Sequence, residues 1–349
     1  MNPSTSFTRA DKLRWGVLST ASIGRRSVNP AIRQSKNGDL LAVASRDAER
    51  ARAFATETGI ERHYGSYEAL LRDSEIDAIY IPLPNALHRE WSMKAAEHGK
   101  HVLCEKPLAL NAAECREMEA AAQANDTLLM EAFMYRFHPR IQHVARQAQS
   151  GALGAVRSIR STFTFRLTRP HDVRFVQELG GGALYDVGCY CVNVSRTLAG
   201  VEPEEVQALA NWGLSGVDHE LAGVMRFPGG LLAHFDCALS MDRRETVEVA
   251  GVEASLAMDA VFVPGVAAST VTERRGGAVT THEVAGANQY VLMVEHFADC
   301  VMGRETLRYP ASEAAANMAV IDALYRSARA GGDPTPVTPH LSSSVTSFR

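Results

Sequence analysis

The sequence predicts an α/β protein: a parallel-sheet domain first, then an α/β domain built on a large open, mostly antiparallel sheet. Three observations carry this expectation. Over the first 130 residues, short apolar runs alternate with amphipathic stretches, the pattern of parallel strands buried on both faces and joined by helices. Beyond that point the runs lengthen and alternate apolar with polar residues, as strands do when only one face is buried. A chain of 349 residues with 46% hydrophobic content also holds enough apolar material for two cores without a disulfide or metal staple.

Leu13–Leu18, Leu40–Ala44, Ala78–Ile81 and His101–Cys104 are the expected buried strands, with helices over Ile23–Gln34, Asp47–Thr58 and Asn85–His98 between them. A further strand, Leu128–Met130, and a helix over His138–Gln149 lead into the strand-rich part. There Val156–Phe165, Glu204–Trp212, Glu220–Phe227, Leu231–Ala238 and Thr246–Ala250 read as strands, and Pro228-Gly229-Gly230 reads as a hairpin turn. An Ala-rich helix over Ser312–Ala330 is expected to pack back on the first domain. The domains are accordingly 1–130 and 131–330, followed by a Pro-, Ser- and Thr-rich tail at 331–349.

Composition narrows the function classes. A net charge of −4 lacks the basic footprint of a nucleic-acid binder. No apolar run approaches the ~18 residues of a membrane span, and the polar stretch through Thr8 has no apolar signal core, so a cytoplasmic location is expected. Cys104, Cys115, Cys189, Cys191, Cys237 and Cys300 form no Cys-x-x-Cys pair and no zinc-like cluster with His. No metal is expected, and the thiols read as buried and free in a reducing compartment.

The chemistry concentrates at strand ends. The first strand runs into Ser19-Thr20-Ala21-Ser22-Ile23-Gly24, with Ser19, Ala21 and Gly24 at the three glycine positions of the dinucleotide fingerprint G-x-G-x-x-G. Only the last is glycine, yet small side chains still let backbone N–H groups approach a pyrophosphate at a helix N-terminus. The second strand ends in Ser45-Arg46-Asp47. An NAD-preferring site would place an acid at that strand end; a hydroxyl followed by a guanidinium suits a 2′-phosphate and favours NADP(H) over NAD(H). The plainer alternative is a solvated Arg46 ahead of an Asp47 helix cap. Ala78–Ile81 leads to Pro82-Leu83-Pro84-Asn85 and on to His88, while His101–Cys104 leads to Glu105-Lys106-Pro107. Both segments lie at the carboxyl ends of parallel strands, where open α/β sheets bind ligands. A Lys-Pro bond can also adopt the cis form.

With Glu105-Lys106-Pro107, the stretch Glu131-Ala132-Phe133-Met134-Tyr135-Arg136-Phe137-His138-Pro139, and the run Gly180-Gly181-Gly182-Ala183-Leu184-Tyr185-Asp186-Val187-Gly188-Cys189-Tyr190, the chain resembles the glucose–fructose oxidoreductase/inositol dehydrogenase/MocA family. The matching features span almost the whole length. The family's helix motif often reads Asp-x-x-x-His; Tyr190 stands in the His place here, as in the branch holding dimeric dihydrodiol dehydrogenase and NADP-dependent xylose dehydrogenase. The resemblance implies a Rossmann domain, a second domain with a large open sheet, and a homo-dimer or homo-tetramer through that sheet.

Asp186 and Tyr190 are four apart, so a helix there puts both on one face. The resemblance implies Lys106 and Tyr190 as acid/base candidates, with Asp186 hydrogen-bonding the substrate or holding the lysine; which of the two is the base stays open. Ser19, Thr20, Ala21, Ile23, Gly24, Ser45, Arg46, Pro82, Pro84, Asn85, His88, Glu105, Lys106 and Arg136 are the expected cofactor-side residues. Arg136 and His138 follow an apolar strand and are expected to line the site. Arg166, Arg169 and His171, in a Pro-containing loop, are candidate substrate contacts. The implied activity is hydride transfer between NADP(H) and a sugar, polyol or diol carbon, as an aldose dehydrogenase or keto-sugar reductase. The competing readings are a redox-neutral sugar-converting enzyme with tightly held cofactor, and a non-catalytic NADP(H)-binding sensor.

Overall fold

A computed structural model describes residues 12–338. The polar start through Thr8 and the tail beyond Thr338 lie outside the described residues. The chain forms two compact units.

The first unit holds a six-stranded sheet, all parallel. Its strands are β1 (Leu13–Leu18), β2 (Gly38–Ala44), β3 (Arg62–Tyr64), β4 (Ala78–Ile81), β5 (His101–Cys104) and β6 (Leu129–Glu131). The helices are α1 (Asn29–Gln34), α2 (Ala48–Thr58), α3 (Tyr67–Leu71), α4 (His88–Glu97) and α5 (Ala112–Ala124), and the first residues of α5 group with the second unit. α1 is entered through a wide π-type turn, Gly24–Val28, and α4 through a tight turn, Asn85–Leu87, so the helices predicted over both segments are present with irregular starts. β1, β4 and β5 are almost wholly buried, which is why they read as largely apolar runs. Strand order β3-β2-β1-β4-β5-β6 reverses direction between β1 and β4, and the crevice at that reversal is the standard ligand position of this sheet type.

The second unit carries α6 (Pro139–Gln149), β7 (Val156–Arg166), α7 (Cys189–Ala199), β8 (Glu205–Trp212), β9 (Asp218–Arg226), β10 (Leu232–Ala238), β11 (Ser240–Gly251), β12 (Ala254–Asp259), β13 (Ser269–Arg275) and β14 (Ala278–Val284). After α8 (Gln289–Val301) come α9 (Ala311–Arg329) and a short β15 (Thr335–Pro336). The sheet order is β14-β13-β12-β11-β7-β10-β9-β8-β15, antiparallel except where β10 runs parallel to β7. Gly229 and Gly230 both take positive φ in the turn joining antiparallel β9 and β10, as the doublet predicted.

One helix groups with a unit that the sequence did not assign it to. The helix that returns to the first unit is α8, whose Phe297 ring packs 5.4 Å from Trp15 of β1 and whose Glu295 carbonyl accepts from Asn37 at 2.9 Å. α9 groups with the second unit, the domain to which the sequence assigned it, and its polar side chains find partners there: Glu313 on Arg136, Tyr325 on Asp218 and Ser327 on the Ala208 N–H. β3, β12, β13, β14, α3, α5 and α8 were not foreseen; β12 to β14 are short or half-exposed strands whose alternation is weak.

Candidate active site

In the first unit the β1 loop adopts the geometry that a glycine fingerprint serves. Ser19, at the first glycine position, takes φ 116°, a conformation costly for a side-chain-bearing residue and characteristic of functional sites. Its N–H donates to the Ala44 carbonyl at 3.0 Å, and its Oγ donates to the Pro82 carbonyl at 3.3 Å while accepting from the Ala21 N–H at 3.2 Å. One hydroxyl thus joins the end of β1 to the end of β4 across the point where strand order reverses. Gly24 and Ile23 open the helical segment behind this loop, which directs backbone N–H groups towards an anion.

The end of β2 carries positive charge. Ser45 is buried and its N–H donates to the Tyr64 carbonyl at 3.0 Å. Asp47 is spent as the cap of α2, accepting from the Arg50 N–H at 3.1 Å. Arg46 is exposed. Arg50 was missed by the sequence reading: its Nε donates to Thr20 Oγ1 in the β1 loop at 2.8 Å. Burial raises the Tyr67 hydroxyl pKa, and nearby Arg46 and Arg50 pull it back down. The donor set of Ser45, Arg46, Arg50 and Thr20 fits a phosphate on the ribose. The signal available was two arginines, Arg46 and Arg50, flanking the Asp47 cap at the start of α2.

The β4 and β5 ends are laced together. The fully buried Tyr80 hydroxyl donates to Glu105 Oε1 at 2.6 Å; burial and this neighbouring carboxylate push its pKa well up. The Lys106 N–H donates to Glu105 Oε2 at 3.3 Å, and the Lys106–Pro107 bond is cis. Pro82, Pro84 and Asn85 follow β4 directly. His88, expected beside the nucleotide, is fully buried instead, with Nδ1 2.9 Å from the Pro107 carbonyl and Nε2 2.8 Å from the Leu83 carbonyl. Desolvation lowers its pKa while the two carbonyl contacts raise it, and the ring buckles the two loops together.

In the second unit, Gly180–Gly182 leads into a wide turn, Leu184–Gly188, that continues as α7 and carries both Asp186 and Tyr190. Asp186 Oδ2 accepts from Arg174 Nε at 2.6 Å, and Arg174 Nη1 donates to Asp172 Oδ1 at 3.0 Å. The guanidinium is held charged by Asp186 first and Asp172 after it. Arg174 was also missed; it stands ahead of the triple glycine Gly180–Gly182, in a loop with no readable period. The Tyr190 ring is buried, with ring centroids 5.7 Å from Tyr135, 5.4 Å from Phe163 and 5.1 Å from Phe262.

Other expected residues are placed differently. Arg136 is buried and pairs with Glu313, which also binds Arg196 at 3.0 Å; Arg196 forks onto Glu202 through two 2.6 Å bonds. Arg136 therefore belongs to an interior ion network. His138 caps α6, its Nδ1 accepting from the Arg140 N–H at 3.1 Å, and burial holds its pKa down at about 4. Arg166 and His171 are exposed, and Arg169 reaches Asp172 at 2.7 Å. All six cysteines are buried, and burial raises Cys191 and Cys300 to about 12. Among the described residues no His, Cys, Asp and Glu cluster is arranged to hold a metal ion, and no helix is long and apolar enough to cross a membrane.

Comparison with known proteins gives a consistent result. A family model described as an oxidoreductase family with an NAD-binding Rossmann fold matches residues 13–133, and the GFO/IDH/MocA C-terminal domain matches residues 141–257. D-xylose 1-dehydrogenase (NADP(+)) 2 of Haloferax volcanii is 40% identical over 91% of this chain and 98% of its own length. Bovine trans-1,2-dihydrobenzene-1,2-diol dehydrogenase is 35% identical over 69% of this chain and 72% of its own. A 3-ketoreductase from Actinomadura kijaniata, solved with NADP and TDP-benzene, superposes with a TM-score of 0.87 at 29% identity, covering 91% of this chain and 98% of the other.

Proposed function

The chain belongs to the GFO/IDH/MocA oxidoreductase family, and from that premise we propose that it moves a hydride between NADP(H) and a hydroxyl- or keto-bearing carbon of a sugar, polyol or diol. The observation that carries the cofactor choice is the end of β2, where Ser45, Arg46 and Arg50 stand and the acid, Asp47, is committed to capping α2. The nicotinamide, when bound, supplies the hydride acceptor or donor, and the protein has only to orient it and manage one proton.

The β1 loop from Ser19 to Gly24 would hold the pyrophosphate; Arg46 and Arg50 would hold the 2′-phosphate. Lys106 and Tyr190 are the proposed proton carriers, at the positions where the family resemblance puts its acid/base residues, and general acid–base catalysis asks only that one of them exchange the hydroxyl proton. Asp186, fixed by Arg174, is the proposed anchor for a substrate hydroxyl. The names of the relatives, a xylose dehydrogenase and a diol dehydrogenase, support the substrate class. Assembly through the open face of the second sheet is supported by the exposed apolar residues Leu209, Val224 and Leu232 on β8, β9 and β10. Six buried thiols suit a reducing compartment, and the cytoplasm is the proposed location.

A screen of aldoses and diols by the absorbance of reduced nicotinamide, with Lys106→Ala as control, tests this. Turnover by the wild type and its loss in the variant are expected. NADP(H) bound equally by both, with neither turning anything over, would favour a sensor.

A further inference from the structure

The helix bearing Asp186 and Tyr190 begins without a capping side chain of its own, although the leading N–H groups of any helix require acceptors. The acceptor comes from another element. Asp218, the first residue of β9, is fully buried, and its Oδ2 accepts from the Leu184 N–H at 2.7 Å. Its Oδ1 accepts from the Tyr325 hydroxyl of α9, also at 2.7 Å. Gly182 makes room for this: a Cβ there would lie 2.2 Å from Asp218 Oδ1 and 2.9 Å from the Tyr325 hydroxyl, on a backbone with φ 125°. The Gly182 N–H in turn donates to the Arg174 carbonyl at 2.9 Å, and Arg174 grips Asp186 by its side chain. The turn that delivers Asp186 is thus fixed from two sides.

We propose that Asp218 is a positioning residue for the reaction assigned above: clamped by Tyr325, it caps from β9 the helix that carries Asp186 and Tyr190, and so sets where those two side chains stand. This rests on the proposed function. The carboxylate is an expensive way to fill the space. Burial above all, and the Asp218 charge as a smaller cause, raises the pKa of both Tyr185 and the Cys237 thiol of β10. An apolar side chain of similar size would pack there without a desolvation cost, but it would leave the Leu184 N–H buried and unmet, which only an acceptor can relieve. A cavity of about 180 Å³, lined by Tyr185, Trp212, Asp218, Tyr325 and Arg329, adjoins the clamp and offers space for side chains to move once it is broken.

The test compares Asp218→Ala with Asp218→Asn, whose side-chain oxygen can still accept from Leu184. Three readouts are taken: kcat and KM for the sugar, Kd for NADP(H), and hydrogen exchange of the segment 183–192. For the alanine variant a kcat loss of about 10-fold or more, a nucleotide Kd within about twofold, and faster exchange at Leu184 and Tyr185 are expected, with asparagine recovering kcat to within about threefold. A wild-type kcat in Asp218→Ala, or exchange unchanged in that variant, overturns the proposal. If the alanine protein does not fold, Tyr325→Phe takes its place; a drop in kcat with unchanged nucleotide Kd supports the clamp, and an unchanged kcat overturns it. If the wild type turns over no substrate, the functional reading fails, while the exchange comparison still decides whether Asp218 caps the helix.

Discussion

Replacing Arg174 with methionine removes a guanidinium that ties Asp186 to Asp172. Its bonds are 2.6 Å to Asp186 and 3.0 Å to Asp172, and the two carboxylate side chains are only 14% and 7% exposed. Charge-assisted bonds of this kind contribute about 1.5–3 kcal/mol each, and stripping the partner from a fully buried charge costs about 3–5 kcal/mol. Arg174 is itself 35% exposed, so water screens part of the interaction, and about 2–3 kcal/mol is the reasoned loss for the variant. Methionine keeps much of the aliphatic stem, which separates the charge from the packing. If the whole loss falls on Asp186, kcat/KM for the sugar drops about 30- to 160-fold at ~1.36 kcal/mol per decade; any part that falls on the fold appears instead as a lower Tm. Steady-state kinetics and thermal unfolding of the same preparation measure both. A variant with kcat/KM within about threefold of wild type and an unchanged Tm refutes the role given to Arg174.

Arg46→Asp is expected to shift preference from NADP towards NAD, because a carboxylate repels the 2′-phosphate and accepts from ribose hydroxyls; an unchanged ratio of kcat/KM for the two cofactors removes Arg46 from the cofactor site. Tyr190→Phe is expected to cost about 10²- to 10⁴-fold in turnover, the range of a lost acid/base group, and a loss of only a few-fold leaves Lys106 as sole proton carrier. Burial lifts the Asp218 carboxyl from 3.8 to about 6, roughly two units or ~3 kcal/mol at 1.36 kcal/mol per unit. Because the folded pKa lies above the unfolded one, the contribution is fully present below about pH 4 and is lost as pH rises through about 6. Asp218→Asn should therefore gain stability relative to wild type between pH 4 and 7, and parallel stability curves for the two proteins would contradict the shift.

Much of the first unit was legible because its physics is local. β1, β4 and β5 are buried on both faces and so write themselves as apolar runs, and the chemistry at their carboxyl ends follows from strand direction alone. Ser19 was readable as a glycine surrogate from its place in the fingerprint, although its positive φ is a backbone property that serine does not announce. His88 and Arg136 misled for the opposite reason: a charged or titratable residue beside a functional motif looks like a ligand contact, and only the fold reveals that one buckles two loops and the other completes a buried ion network. Arg174 and Asp218 could not be found by pattern at all. Each acts on the α7 helix from a distant loop or strand, and no spacing in the chain encodes that meeting. The return of α8 to the first unit has a similar cause, since an apolar helix packs wherever partners such as Trp15 stand, and no spacing announces them.

Direct transfer of hydrogen tests the central claim most closely. An aldose bearing deuterium on the carbon to be oxidised, incubated with the protein and NADP+, is expected to yield reduced nucleotide carrying that deuterium at C4 of the nicotinamide, with the label lost when Lys106→Ala replaces the wild type. Reduced nucleotide bearing solvent hydrogen instead, or no reduced nucleotide from any aldose or diol despite tight NADP(H) binding, would contradict it.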